Sequence, residues 1–325
     1  MRKNIIVTGS SGFIGSHLVR LLKEHGHFVI GLDIVHPKYE VPDIFYICDL
    51  RIQSQLMVLF SLYHNRDREI HEVYNLACLM GGMGYIGDVK HDYDIMVGST
   101  EIISNVLGFC IDYKVKKSFF SSSACVYNEE KQKTENVSLK ESDAYPAFPD
   151  LVYGWQKLMS EQMYQSALIS HSLDIRIARF HNIFGPEGIY DGGKEKAPAA
   201  LCRKVALAKD GDEIEVWGDG NQTRSFLYID ECLEGVMRLM NSKCQYPINI
   251  GSDEMVSINQ LTKMIIDISG KKLTIKNIKG SVGVRGRNSD NTFIEKVLGW
   301  SPSSKLIDGL TKTYDWINKQ VNSGY

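Results

Sequence analysis

The side chains best suited to chemistry in this 325-residue chain are Tyr153 and Lys157 in YGWQK and Cys125 in SSSACVYN. Tyr153 and Lys157 stand four apart, which places them on one face of a helix. A neighbouring ammonium favours phenolate, and bringing a tyrosine from about 10 towards 7 takes about 4 kcal/mol. The same spacing occurs on ordinary solvated helices, so position has to decide its meaning. Ser123 closes an apolar run thirty residues before Tyr153, and Cys125 follows it by two. On an extended strand Ser123 and Cys125 point to the same side. A free thiol titrates near ~8.5, and a nearby cation, from a lysine or a positively charged ring, raises its thiolate fraction. The ordinary alternative is a small buried hydrophobe.

A second pattern, GSSGFIG, brings Gly9, Gly12 and Gly15 directly after an apolar run and into an amphipathic one. Such glycines let the backbone turn tightly, approach a pyrophosphate and pack helix on strand. The amides that open the helix, at Phe13 and Ile14, then face the phosphates. Asp33 ends the next apolar run 18 residues after Gly15, where a carboxylate accepts hydrogen bonds from an adenosine ribose and favours NAD over NADP. His36 and Lys38 are the cations beside it. Asp49, in CDL, fits an adenine contact or the cap of a following helix.

The elements that must hold these groups alternate. Strands are predicted at 4–9, 28–33, 44–50, 72–77, 117–123 and 174–180, with helices at 13–26, 51–63, 94–113 and 152–170 between them. Short buried strands separated by amphipathic helices predict an α/β fold, a doubly wound parallel-sheet Rossmann fold. After His181 the pattern becomes turn-rich. The expected division is a dinucleotide-binding domain over 1–180, with a return near 225–250, and a smaller C-terminal substrate-binding lobe over 181–325.

Composition bounds the partners. With 43% hydrophobic and 23% charged residues and a net charge of −2, the chain carries no general basic face for nucleic acid. No window approaches the ~20 apolar residues of a membrane span, and the short apolar start at residues 4–7 falls below the ~7–15 residues of a signal-peptide core. Seven cysteines without a CxxC pair fit reduced thiols and a cytoplasmic setting, with no metal site.

The glycine fingerprint, Ser123, Tyr153 and Lys157 together resemble the extended short-chain dehydrogenase/reductase superfamily. Within it MGGMGYI, SSACVY, NVSLKESDAYPA, RFHNIFGPEG, GGKEKAPAALCRK, WGDGNQTRSF and VRGRNSDN resemble the GDP-mannose 3,5-epimerases. That resemblance implies bound NAD, a GDP-sugar substrate and a homodimer through the helices near 94–113 and 152–170. It also implies inversion of GDP-mannose at carbons 3 and 5 to GDP-L-galactose, with GDP-L-gulose as a side product, through a transient ketone at carbon 4. Cys125 is then the base and Lys196 the partner acid. Gly82, Asn182, Glu195 and Lys204 become substrate contacts, and Gln222, Thr223, Arg224 and Arg285 grip the diphosphate, with Arg287 an equal candidate for the last place. Related 4,6-dehydratases carry an Asp-Glu pair where this chain has Ala124-Cys125, and simple 4-epimerases leave Lys196 unexplained. Asn128 departs from the usual proline, and the end at Tyr325 leaves room for another GDP-sugar, such as a GDP-heptose. An idle dinucleotide-binding regulator is the remaining alternative.

Overall fold

The computed structural model describes residues 2–56 and 69–323. Seven parallel strands form the main sheet: β1 (Asn4–Thr8), β2 (Phe28–Asp33), β3 (Ile44–Ile47), β4 (Glu72–Asn75), β5 (Lys117–Ser123), β6 (Ile175–Phe180) and β7 (Ile248–Ile250). Their order in the sheet is β7-β6-β5-β4-β1-β2-β3. The longer helices, in chain order, are α1 (Phe13–Glu24), α2 (Asp92–Asp112), α3 (Val152–His171), α4 (Ala197–Leu207), α5 (Ile229–Asn241), α6 (Ile258–Ser269), α7 (Thr292–Leu298) and α8 (Leu306–Asn322). The doubly wound parallel sheet expected from the alternation is present. Of the helix expected over 51–63, residues 53–56 are helical and the stretch after them lies outside the described residues.

Both faces of the sheet are covered, so its strands read as continuous apolar runs. One core joins Ile6, Ile30, Val73, Phe120 and Ile177 to Ile103, Val106 and Phe109 of α2 and to Tyr164 of α3. The opposite core joins Ile5, Val7, Tyr74 and Phe119 to Leu18 and Leu22 of α1 and to Cys232, Val236 and Leu239 of α5. Ile183, Leu227, Ile248 and Ile294 also pack there, which brings later parts of the chain back onto the sheet. A third core gathers Leu201 and Val205 of α4, Leu261 and Ile265 of α6 and Leu310 and Ile317 of α8. Beside it lie a three-stranded sheet of Met255–Ser257, Thr223–Ser225 and Gly286–Arg287, and a strand pair of Thr274–Ile278 and Glu213–Trp217.

One expectation is corrected. The segment Val89–Asp112, which contains α2, is long and apolar enough to cross a membrane by length and composition, with half of its apolar window buried inside the molecule. The buried half is the face that α2 turns to the sheet and to α3.

Strand order reverses between β1 and β4, both of which pair with neighbours in parallel: Thr8 lies opposite Leu32 on one side and Asn75 on the other. A crevice opens at the carboxyl ends of strands at such a reversal. Thr8 Oγ1 donates to Asn75 Oδ1 at 2.7 Å and accepts from the Leu76 and Ala77 amides at 3.2 Å. Those bonds fix the start of the loop that carries Cys78 and Gly82.

Candidate active site

The glycine turn is built as its chemistry requires. Gly9 has φ +68, and a Cβ there would meet Ala77 N at 3.0 Å. A Cβ on Gly15 would fall 2.0 Å from the Gly9 carbonyl oxygen, so any other residue would push α1 off β1. Helix α1 starts at Gly12 without a side-chain cap, and the amides of Phe13, Ile14 and Gly15 have no preceding helical carbonyl to bond. Asp33 accepts from Ser11 N at 2.9 Å through Oδ2 and from Ile34 N and Val35 N at 2.7 and 3.2 Å through Oδ1. Oδ2 keeps a lone pair for a ribose hydroxyl. Open helix amides, a turn without Cβ atoms and an acidic strand end fit a dinucleotide. Asp49 behaves as the capping alternative: it accepts from Arg51 N at 3.0 Å and from Arg51 Nη2 at 2.6 Å. Those bonds hold its carboxyl below the usual carboxylate range.

Beyond the glycine turn, Tyr153 and Lys157 occupy the first two turns of α3, both buried. Lys157 Nζ donates to the Ser121 carbonyl at 2.8 Å and lies 4.9 Å over the Phe120 ring and 5.7 Å over the Tyr153 ring. Burial, then the charges of Cys78 and Cys125, push the Tyr153 phenol well above its ordinary value, against a hydrogen bond from Ser123. The Lys157 ammonium faces the ring and a carbonyl, and the expected shift towards phenolate rests on this lysine together with the positive ring of the bound cofactor.

Cys125 packs with Ile95 and Tyr153, as a reach from Ser123 demands, but by a different route. The strand stops at Ser123, and Ala124–Val126 form a 3-10 turn in which the Ser123 hydroxyl accepts from the Cys125 amide at 3.2 Å. A turn, not the alternation of an extended strand, aims the thiol. The cation hydrogen-bonded to it was not among those expected: Arg287 Nη1 donates to Cys125 Sγ at 3.1 Å, while the expected lysine, Lys196, also acts on the sulfur by charge. Arg287 Nε donates to Gln132 Oε1 at 2.6 Å and Nη2 to Asp150 Oδ1 at 3.2 Å. Burial pulls the Arg287 guanidinium down, yet the charges of Cys125 and Asp150 carry it above the ordinary arginine value.

Lys196 stands at the N-terminus of α4, ahead of Pro198 in the first turn. Burial lowers its ammonium below the ordinary lysine value, against the charges of Cys125, Cys78 and Cys232. A helix N-terminus also repels a cation. Its loop is clamped to the MGGMG loop: Gly82 N donates to the Lys194 carbonyl at 2.9 Å, and a Cβ on Gly82 would fall 2.1 Å from the Glu195 carbonyl oxygen. Glu195 accepts from Gly193 N at 2.7 Å and lies 3.7 Å from Arg203. Lys204 Nζ donates to the Glu215 carbonyl at 2.8 Å. Asn182, at φ +43, donates to the Ser225 carbonyl at 2.9 Å.

The expected diphosphate grip is arranged differently. Arg224 turns inward, donating to the carbonyls of Thr223, Val282 and Val284 at 2.7, 3.1 and 2.8 Å. Burial and the neighbouring Arg287 bring it down to about 10, against Asp150 and Cys125. Arg285 faces outward between Asp219, at 2.9 Å, and Glu135, at 3.1 Å. Gln222 donates to the Trp217 carbonyl at 3.0 Å and leaves Oε1 buried without a partner, while Thr223 donates to the Glu135 carbonyl. Sequence reasoning missed Asp150, Gln132, Cys78 and Gly154. A Cβ on Gly154 would lie 2.1 Å from the Cys125 carbonyl oxygen, so the glycine of YGWQK is what lets α3 close on the cysteine turn. For Arg287 no local signal existed, because Arg285 and Arg287 share one side of an extended segment.

A dinucleotide crevice with a Tyr-Lys pair and a thiol at its mouth defines a class, and the comparisons agree with it. Residues 5–251 match the NAD dependent epimerase/dehydratase family, to which this chain belongs. Its cofactor is therefore NAD, and its substrate a nucleotide sugar. The chain is 46% identical over 321 residues to GDP-mannose 3,5-epimerase 1 of Oryza sativa subsp. indica, covering 98% of this chain and 82% of that protein. To GDP-mannose 3,5-epimerase of Arabidopsis thaliana it is 46% identical over 322 residues, with the same coverage. Among solved structures it is similar to UDP-glucose 4-epimerase with UDP-glucose from Thermotoga maritima, with TM-score 0.81, 26% identity, and 98% of this chain and 100% of that one covered. UDP-glucuronic acid 4-epimerase from Bacillus cereus, in complex with UDP-glucuronic acid and NAD, has TM-score 0.80 and 28% identity, covering 98% and 99%.

Proposed function

We propose that this protein epimerises GDP-mannose at carbons 3 and 5, giving GDP-L-galactose, with GDP-L-gulose where only one carbon inverts. The observation that carries this reading is the thiol. Cys125 stands against the Tyr153 ring and under an arginine, in a chain 46% identical to the plant GDP-mannose 3,5-epimerases. NAD, when bound, supplies a reversible hydride acceptor for carbon 4. Gly9, Gly12, Gly15, the amides of Phe13 and Ile14, Asp33 and Lys157 hold it.

Tyr153, joined to Ser123, moves the proton of the carbon 4 hydroxyl. Oxidation at that carbon makes the C–H bonds at carbons 3 and 5 acidic. Cys125, hydrogen-bonded by Arg287, takes a proton from such a carbon. Lys196, an ammonium made more acidic by burial, returns one. A thiolate suits proton abstraction next to a carbonyl, whereas expulsion of a hydroxyl needs an acid, so the site favours epimerisation over dehydration. GDP as the nucleotide, the division into a dinucleotide domain over 1–180 and a substrate lobe over 181–325, and the homodimer belong to the same proposal.

The test is incubation of the NAD-loaded enzyme with GDP-mannose in heavy water. Deuterium at carbons 3 and 5, with products of galacto and gulo configuration, is expected. A stable 4-keto-6-deoxy product, or unlabelled substrate at equilibrium, overturns the reading.

A further inference from the structure

Two guanidinium groups, the half-buried Arg224 and the buried Arg287, act by charge on Cys125, and the carboxylate whose charge acts on both is Asp150. Asp150 sits in the loop just ahead of α3 with its side chain 8% exposed, Oδ1 3.2 Å from Arg287 Nη2. A guanidinium presents its donors in one rigid plane. Here Gln132 takes Nε at 2.6 Å and Asp150 takes Nη2, so two edges of the plane are held. The edge left, Nη1, then meets the sulfur at 3.1 Å. Gln132 is itself fixed, donating to the carbonyls of Tyr127 and Asn128 at 3.2 and 3.3 Å.

We propose that Asp150 is a positioning residue of the epimerisation: it orients Arg287 on Cys125 and keeps the thiolate a strong base by offsetting one of the two arginine charges. The proposal rests on Cys125 being the base in the function given above. Two guanidinium charges face one carboxylate and one ionisable thiol, and this four-member cluster is neutral when Cys125 is a thiolate. Buried charge is tolerated when it is paired and hydrogen-bonded. With Asp150 neutralised, the surplus cation holds the thiolate more tightly, and a thiolate of lower pKa is a weaker base. The other titratable groups acting on this site include Lys196 ahead of α4, Cys78 after β4, Tyr153 in the first turn of α3 and His181 after β6, which faces the Arg287 charge. None of them replaces the carboxylate.

The test is alkylation of Cys125 by iodoacetamide as a function of pH, in the full chain with NAD, read peptide by peptide by mass spectrometry. Asp150→Asn keeps the shape and an acceptor oxygen but removes the charge. The pH midpoint of alkylation is expected to fall by about one, the lower end of the effect of a charge at this range. kcat for epimerisation is expected to fall several-fold, at most about tenfold for a midpoint shift of about one, with KM for GDP-mannose nearly unchanged, since a weakened base slows the chemical step. Asp150→Glu restores the midpoint. An unchanged midpoint in Asp150→Asn, or a loss of kcat that follows a fall in Tm alone, overturns the proposal. If Asp150→Asn fails to fold, Arg287→Gln takes its place: its midpoint must rise by about one or more, and an unmoved midpoint is equally fatal. The alkylation profile does not depend on turnover, so absence of deuterium uptake in the unaltered enzyme would remove the function while the hold of Asp150 on the sulfur stayed measurable.

Discussion

At the scale of single residues, the two proposed partners of the inversion stand in different surroundings. Cys125, the proposed base, receives a hydrogen bond from Arg287. Lys196, the proposed acid, stands half-buried at a helix N-terminus, where desolvation lowers its ammonium below the ordinary lysine value. The proton it donates is lost when the pH rises through its lowered value. The alkaline limb of kcat for epimerisation is therefore expected below the ordinary lysine value of 10.5, and a limb at or above that value would count against Lys196 as the acid. Replacing Lys196 by Met should reduce inversion by about 10²–10⁴-fold, the usual contribution of a positioned acid. Oxidation at carbon 4 should survive, seen as the near-ultraviolet absorbance of reduced cofactor after mixing with GDP-mannose. Loss of that absorbance together with inversion would show that Lys196 serves substrate binding instead.

At the scale of elements, α3 carries Tyr153 and Lys157, and its seating depends on a residue with no side chain. The Gly154 position faces the Cys125 carbonyl at a range where a Cβ would sit 2.1 Å from it, with Pro149 Cβ at 2.8 Å on another side. A backbone carbonyl cannot swing away as a flexible side chain can, so Gly154→Ala must lift the helix from the 3-10 turn. Overpacking of this kind costs about 1–3 kcal/mol, readable as a lower urea midpoint. Epimerisation should fall further than that loss implies, because Tyr153 and the cysteine turn separate. An alanine variant with unchanged midpoint and turnover would refute the packing. The element scale is also where the sequence was most legible. The six strands and the helices around them were written in runs of apolar residues, and the glycine turn and the Tyr-Lys pair lay within single elements. What stayed hidden depended on distant pairings: Asp150 meets Arg287 across 137 residues and Gln132 meets it across 155. No local pattern marks such contacts, and the choice between Arg285 and Arg287 turned on which of two residues two apart is buried: Arg287 is, bonded to Gln132, Cys125 and Asp150. The route to Cys125 was misread for a similar reason, because a strand and a 3-10 turn differ here by one serine hydroxyl accepting a backbone amide.

At the scale of the whole molecule, α2 and α3 pack side by side on one face of the sheet, and their outer surface is unusual for a free protein face. On α3, Trp155 is 41% exposed and Met159 39%, and both border a hollow completed by Tyr145, Ala147, Leu158 and Gln162. On α2, the position of Gly108 opens onto empty space, so another helix could approach its backbone closely. The segment containing α2 has a mean hydropathy of 1.3 over its apolar window while half of that window is buried, which leaves apolar surface outside the core. We propose that a second copy of the chain, with α2 and α3 meeting α3 and α2 about a twofold axis, covers these exposed apolar side chains self-complementarily. Trp155 and Met159, one turn apart, would then lie inside the buried seam. A charge placed there has no partner to pair with, so Trp155→Glu is expected to turn the dimer into a monomer in sedimentation at micromolar concentration. Tyr153 and Lys157 point to the opposite side of the same helix and are buried, so NAD binding by the monomer should persist. A chain that sediments as a monomer before the substitution, or a dimer that the glutamate leaves intact, would show that this face serves something other than self-association.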